Sequence, residues 1–507
     1  MPEHSTRRVA YGPTHGRSDW PGIGMRMTLT YDYLVVGSGA SAMAFVDTIL
    51  QETDASVVMV DRRAAPGGHW NDAYPFVRLH QPAAAYGVAS KQLGRDRIED
   101  SGLNAGMYEL SSGVEITSYY HELMRDVFLP SGRVTYLPLC DHVGDGQIVS
   151  ILSREQRAVE HSTLVDATFL TTSIPSTHER KFEVADGVTC IPPNQLPHRA
   201  SHHDHITVLG GGKTGADALT WLLSNGFPAE SISWVVPRDS WFWNRRSFQP
   251  GLEFFDPVFG GLAEQYEAIA AAESADELCL EMERIGRWVR LDPMVRPTMF
   301  HAAILSEHEV VALRTVNDVI RHGRVRRIES DAMVFDDTTV HVPAGSLFVD
   351  CTASAIETNV NDQTPVFAPG RINLQMIRQF QPCFSSALIA FIEANVTDDA
   401  ERAGMTRSTP MTDTVDDWLR GAVDGLMNQA GWRASAPVSE WIEDCRLDAF
   451  SGLIAQIPRD DSEKMAVLGR IVAAAPSDWN HPTGRRRQGP SSLSLGRSPI
   501  TAATANR

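Results

Sequence analysis

Tyr33-Leu-Val-Val-Gly37-Ser-Gly39-Ala-Ser41-Ala42 decides the fold. An apolar run leads straight into Gly37-x-Gly39-x-x-Ala42, and a helix-like stretch follows through Ile49 and Leu50. A second apolar run, Ser56-Val-Val-Met-Val60, ends on Asp61, about twenty residues beyond the glycines. Strand, glycine turn, helix, second strand and terminal acid in this order form the fingerprint of a dinucleotide-binding βαβ unit. Gly37 permits the tight turn, Gly39 lets a pyrophosphate approach the backbone, and Ala42 lets helix and strand pack closely. The pyrophosphate then meets the positive end of a helix that Ser41 helps to open, and Asp61 can accept from a ribose diol.

The residues after Asp61 specify which dinucleotide. Arg62-Arg-Ala-Ala-Pro-Gly67-Gly68-His69-Trp70 continues into Asn-Asp-Ala-Tyr74-Pro75-Phe-Val-Arg78. This stretch resembles the FAD site of flavoprotein monooxygenases of the Baeyer–Villiger, dimethylaniline-type and N-hydroxylating group. In that family the acid is followed by Gly-Gly-x-Trp, Tyr-Pro-Gly-x-Arg and a downstream Tyr. Gly67, Gly68, Trp70, Tyr74, Pro75, Arg78 and Tyr86 occupy matching positions. The resemblance implies FAD held by Gly37, Gly39, Ser41, Ala42, Asp61, Arg62, Gly67, Gly68, His69, Trp70 and Arg78.

A second fingerprint stands mid-chain: Ile206-Thr-Val-Leu-Gly210-Gly-Gly212-Lys213-Thr214-Gly215-Ala-Asp-Ala-Leu. Its Gly-Lys-Thr is not a phosphate loop, which requires a glycine where Thr207 stands. The strand that follows, Ile232-Ser-Trp-Val-Val236, ends at Pro237-Arg238 instead of an acid, with Arg245 and Arg246 close behind. A guanidinium there suits a bidentate contact to a 2′-phosphate. NADPH is therefore expected at Gly210, Gly212, Lys213, Thr214, Gly215, Arg238 and Arg245.

Two nested dinucleotide units predict an α/β architecture: an FAD-binding Rossmann-like domain enclosing an NADPH-binding Rossmann-like domain, a helical insert and a helical C-terminal region. The expected divisions are an N-terminal arm over 1–27, FAD domain over 28–175, and NADPH domain over 176–350. The insert spans about 250–315, the FAD-domain return with C-terminal helices 351–475, and a disordered tail 476–507. Crossings between domains are read at Leu164-Val-Asp-Ala-Thr-Phe-Leu-Thr-Thr-Ser-Ile-Pro175 and Leu347-Phe-Val-Asp-Cys-Thr-Ala-Ser354, which resemble the family's apolar strand ending in Ala-Thr-Gly without carrying its glycine. Residues 263–272 and 275–288 have helical periodicity.

Composition excludes several classes. The net charge of −18 argues against nucleic acid or an anionic membrane as partner. No apolar run reaches the length of a membrane span, and residues 1–27 lack the apolar core of a signal peptide; Met25 or Met27 is an alternative start. The six cysteines are scattered, without the close pair a flavin disulfide reductase needs or the spacing of a zinc site. A cytoplasmic location follows, and a homodimer is left open.

The resemblance implies that NADPH reduces the flavin and that oxygen is activated as a C4a-(hydro)peroxyflavin for insertion into a small molecule. Two departures bear on the substrate. Phe182-Glu-Val-Ala-Asp-Gly-Val-Thr-Cys-Ile-Pro-Pro lacks the Phe-x-Gly-x-x-x-His signature, and the acid usually found after the Tyr-Pro-Gly-x-Arg segment is replaced near His80-Gln81. Oxygenation at nitrogen of an amine or amino acid is therefore expected before Baeyer–Villiger or sulfur oxygenation; a reductase or dehydrogenase without oxygen insertion is the rival class. His80 and Gln81 fall where the related enzymes place polar residues beside the flavin. Arg290, between Val289 and Leu291, is the candidate to meet a substrate carboxylate.

Overall fold

The computed structural model describes residues 29–170, 173–353, 364–409 and 411–474. The expected arm over 1–27 and tail over 476–507 lie outside them. The first unit starts with β1 (Leu29–Val36), α1 (Ala40–Glu52) and β2 (Val57–Asp61). It continues through α2 (Gly113–Leu123), β3 (Val134–Pro138), the β4–β5 hairpin (Cys140–Gly144, Gln147–Ser150) and β6 (Gln156–Asp166). Strands β3, β2, β1 and β6 lie side by side and parallel, and Arg371–Asn373 returns to extend the sheet beyond β6. Every residue of β2 is buried, as expected for a parallel strand covered on both faces.

Helix α1 buries an unbroken run from Ala42 to Ile49. Its partner is the helix Pro382–Asn395, buried from Cys383 to Ile392, and the two share one apolar core. A helix apolar all round must be enclosed on all sides. The chain thus closes the first domain with residues more than three hundred positions downstream of α1.

The nested unit is a second, all-parallel sheet. Its strand order is Asp318–Ile320, Ile232–Val235, Ile206–Leu209, Leu347–Asp350, Cys190–Ile191. The doubly nested α/β architecture is thus the one the two fingerprints predict. Besides the expected helices, the insert carries a small sheet. Phe242–Asn244 is the centre of a small sheet, antiparallel to Trp288–Val289 and parallel to Ile304–Leu305. These strands are two or three residues long, too short for a period-2 pattern to register. Helices Gly261–Ala271 and Ala275–Arg284 complete the insert. The C-terminal helix Ser462–Ala474 packs back on it, with Leu468 joining Phe254, Phe255 and Phe259. No helix among the described residues is long and apolar enough to cross a membrane.

Candidate functional site

The first cradle is built by backbone approach. Gly37 has φ +105°, and Gly67 and Gly68 have φ +114° and +57°, values that favour glycine. A Cβ on Gly68 would lie 2.8 Å from the Cα of Gly39, so the two glycine loops abut directly. Gly39 caps α1 with no side chain of its own, leaving the first N–H groups of the helix available to an anion. Ser41 and Ala42 lie in its first turn.

Asp61 is buried at the end of β2. Its Oδ2 accepts from both N and Oγ of Ser38 at 2.7 Å, and its Oδ1 accepts from the Arg63 amide at 2.8 Å. A carboxylate has about four acceptor positions, so Oδ1 retains one for a ribose hydroxyl. Trp70 donates its indole N–H to the Tyr86 hydroxyl at 2.7 Å and stacks with His69. Burial, then the neighbouring Arg63, push the His69 ring down to about 4, so it is neutral at physiological pH. Arg62 lies on the surface beside Asp141.

The second cradle repeats the construction. Gly210 has φ +121°, and a Cβ there would lie 2.6 Å from the Cys351 carbonyl oxygen. A Cβ on Gly215 would meet the Gly210 carbonyl oxygen at 2.1 Å, so only glycine lets this helix approach its strand. Gly212 caps the helix Lys213–Ser224, and a Cβ on it would meet nothing within 4 Å. The chain's own packing does not require that glycine, whereas an approaching pyrophosphate would. Both cradles therefore fit a dinucleotide.

Each crossing strand ends against the first glycine of its fingerprint with the same local device. Asp166 Oδ1 accepts from N and Oγ1 of Thr168 at 3.0 and 2.7 Å; Asp350 Oδ1 accepts from N and Oγ1 of Thr352 at 3.0 and 2.6 Å. Phe169 and Ala353 stand where the family has its glycine, and an Asp-x-Thr turn lies just before each, visible in the sequence as Asp166-Ala-Thr168 and Asp350-Cys-Thr352. Ser354, the end of the second crossing as read from sequence, lies outside the described residues.

Between the cradles runs a buried polar chain that sequence reasoning missed. The Tyr74 hydroxyl donates to Asp217 Oδ2 at 2.7 Å. Asp217 pairs with Lys213, whose Nζ also reaches Glu309 Oε1 at 3.5 Å. Glu309 Oε2 pairs with Arg245 at 2.7 Å, and Arg245 Nε donates to the His80 carbonyl oxygen at 3.0 Å. Burial raises Glu309, but Lys213 and Arg245 outweigh it and hold the carboxyl at about 2. Burial, then Lys213 and Arg245, push the His80 ring down to about 3. No described residue hydrogen-bonds the His80 ring, which keeps part of its surface accessible; Gln81 beside it is likewise half-buried. Tyr74, His80, Lys213 and Arg245 lie in stretches read from the sequence, and Glu309 is marked there by the Ser306-x-x-Glu309 capping box.

Three arginines are placed otherwise than expected. Arg245 is 1% exposed and bound to Glu309, Asn104, Ile304 and His80; it joins the domains and does not face a 2′-phosphate. Arg78 turns outward, bridging Glu99 and the Leu110 carbonyl, because residues 96–110 form a loop that supplies both acceptors. Arg290 is closed on Glu283 at 2.9 Å and on the Val295 carbonyl, so it is not available to a substrate carboxylate. Arg238 stands at the expected strand end, its fork paired with both oxygens of Asp413 at 2.9 and 2.6 Å. Thr214 lies in the first turn of its helix.

The chain belongs to one family with an uncharacterized protein of Mycobacterium tuberculosis strain H37Rv and one of Mycobacterium bovis. Each is 38% identical over 462 residues, spanning 91% of this chain and 85% of the relative. No family model matches the chain. Among solved structures it is similar to a polycyclic ketone monooxygenase from the thermophilic fungus Thermothelomyces thermophila (TM-score 0.48, 10% identity, 90% of each chain). It is also similar to a flavin-containing monooxygenase from Stenotrophomonas maltophilia (0.37, 15%, 70% of this chain and 89% of that one). A third is a cyclohexanone monooxygenase from Rhodococcus sp. Phi1 bound to NADP+ (0.41, 14%, 73% and 85%). Likeness at this level carries no activity over to this chain.

Proposed function

We propose that this protein is a cytoplasmic FAD- and NADPH-dependent monooxygenase acting on a small molecule. The observation that carries this reading is the pair of glycine cradles joined across the domains by one loop. Residues 67–80 begin against the Gly39 cradle and end in the polar chain that starts at Lys213 of the other. Such an arrangement suits electron transfer between two bound dinucleotides. The flavin and nicotinamide would supply the redox and oxygen chemistry.

The chain's own residues bind, orient and keep charge in place. Gly37, Gly39, Ser41, Ala42, Asp61, Gly67, Gly68, His69 and Trp70 are assigned to FAD, with Arg62 at the rim. Gly210, Gly212, Lys213, Thr214, Gly215 and Arg238 are assigned to NADPH. The His80 ring, neutral and unbonded to described residues, can donate or accept one hydrogen bond without adding charge, an electrostatic contribution of the preorganised kind; Gln81 is its neighbour in that role. Tyr74 stays protonated because burial and then Asp217 raise it, so it remains a donor to Asp217.

We further infer oxygenation at nitrogen of an amine or amino acid. The linker over 182–193 lacks the Phe-x-Gly-x-x-x-His signature of Baeyer–Villiger and dimethylaniline-type enzymes, which leaves ketone oxygenation the less favoured alternative. The test is NADPH-driven oxygen uptake with amine, amino-acid and ketone panels. Stimulation by nitrogen compounds with a hydroxylated product supports the inference; stimulation by ketones alone, with lactone product, overturns it.

A further inference from the structure

Two arginines are buried among the described residues, Arg245 and Arg287. Arg245 has a carboxylate, Glu309, at 2.7 Å. Arg287, 5% exposed, has none within ion-pair distance among the described residues. Buried arginines are ordinarily paired, because an isolated charge is expensive to desolvate. Burial pushes the Arg287 guanidinium down to about 10, opposed by Tyr266 and then by Glu264, a carboxylate exposed on its helix.

The surroundings of Arg287 are rich in donors and poor in acceptors. Nε and Nη2 share one acceptor, Gln265 Oε1, at 3.1 and 2.9 Å, and Nη1 reaches the Pro257 carbonyl at 3.4 Å. A guanidinium has five N–H groups, so two remain. The Gln265 side-chain amide and the Tyr266 hydroxyl donate to no described residue, and Tyr266 lies close enough to feel the Arg287 charge. The guanidinium rests over the rings of Trp243 and Phe248, 5.3 and 5.8 Å from their centroids. The indole N–H groups of Trp241, Trp243 and Trp288 in the same cluster are buried with no acceptor.

We propose that Arg287, Gln265 and Tyr266 form an anion-binding site over an aromatic floor, and that it takes the carboxylate of the substrate. A planar carboxylate would supply the two acceptors the guanidinium lacks and one each for the amide and the phenol. The Arg287 carbonyl oxygen accepts from Asn244 N at 2.8 Å, and the adjacent Arg245 holds the His80 carbonyl. The insert's small sheet thus ties this site to the loop that carries His80. That the anion is the substrate rests on the oxygenase reading; the anion site itself does not.

The test is calorimetric titration of the full-length, FAD-loaded protein with benzoate and with neutral benzamide. Saturable benzoate binding is expected, with benzamide at least about tenfold weaker. R287Q should weaken benzoate by about tenfold or more and erase the preference for the acid. Tyr266→Phe, which keeps the ring, should weaken it about threefold in a protein of unchanged circular dichroism and flavin content; it carries the test if R287Q does not fold. Added NADP+ should leave benzoate binding unchanged. No saturable benzoate binding, equal affinity for both probes, indifference to both substitutions, or competition by NADP+ overturns the proposal. NADPH oxidation on the same samples reports separately on the oxygenase reading.

Discussion

The Tyr74 hydroxyl and the Asp217 carboxylate, 143 residues apart, meet at 2.7 Å across the two nucleotide domains. Beside them Phe76 stacks on Trp221 with ring centroids 5.4 Å apart, and the Asp72 carbonyl accepts from Ser176 and Asn194. The loop that follows the Gly67-Gly68 turn is therefore shared by both domains. Its position depends on both, and so does that of His80 at its end.

Glu309 sets the charge balance of this loop. Glu309→Gln removes the acid facing Lys213 and Arg245 and should cost about 3–5 kcal/mol of stability, as for breaking a buried pair. Its folded pKa, about 2, lies below the ordinary carboxyl value of 4.5. The stabilisation is thus fully present above about pH 4.5 and lost as pH falls through about 2. Urea unfolding of wild type and variant across this range should show the gap closing toward acid; a gap constant with pH would refute the pairing.

Asp61→Ala should weaken FAD retention by about 1–3 kcal/mol, since a ribose hydroxyl and the Ser38 donors lose their acceptor. The nucleotide released on denaturation should be FAD. Release of FMN from wild type would remove the assignment, because FMN has no adenosine for Asp61 to meet.

Arg238→Ala should raise KM for NADPH far more than for NADH. The exposed pair with Asp413 is worth no more than about 1 kcal/mol, so a 2′-phosphate can replace it. Asp413→Asn should accordingly lower KM for NADPH. Equal changes for both coenzymes would make Arg238 structural and direct attention to Arg246, which is exposed on the same stretch of chain.

His80→Ala should leave flavin bound and reducible while product formation uncouples and hydrogen peroxide rises. Because the ring titrates near 3, coupling in the wild type should show no inflection from His80 between pH 5 and 8. Unchanged coupling in the variant would leave His80 a structural residue.

Both cradles were legible in the sequence because a glycine turn between a strand and a helix is a local feature, encoded in consecutive residues. The place of Asp61 at the end of β2 was legible for the same reason. The polar chain from Tyr74 to His80 was not: Asp217, Glu309 and Arg245 are brought together only by the packing of two domains and an insert. Arg245, Arg78 and Arg290 were misplaced because their acceptors, Glu309, Glu99 and Glu283, lie 64, 21 and 7 residues away, where a charge run does not reveal which guanidinium is already paired. Arg287, three residues before Arg290, bonds Gln265 where Arg290 bonds Glu283.

The central claim is that the two cradles hold FAD and NADPH for oxygen activation, and anaerobic stopped flow tests it most directly. NADPH should bleach the bound flavin, much faster than NADH at equal concentration, and subsequent mixing with oxygen should restore the oxidised spectrum through a transient absorbance distinct from both end states. A flavin that neither coenzyme reduces would contradict the account, and reoxidation without a transient would reassign the protein to the reductase class.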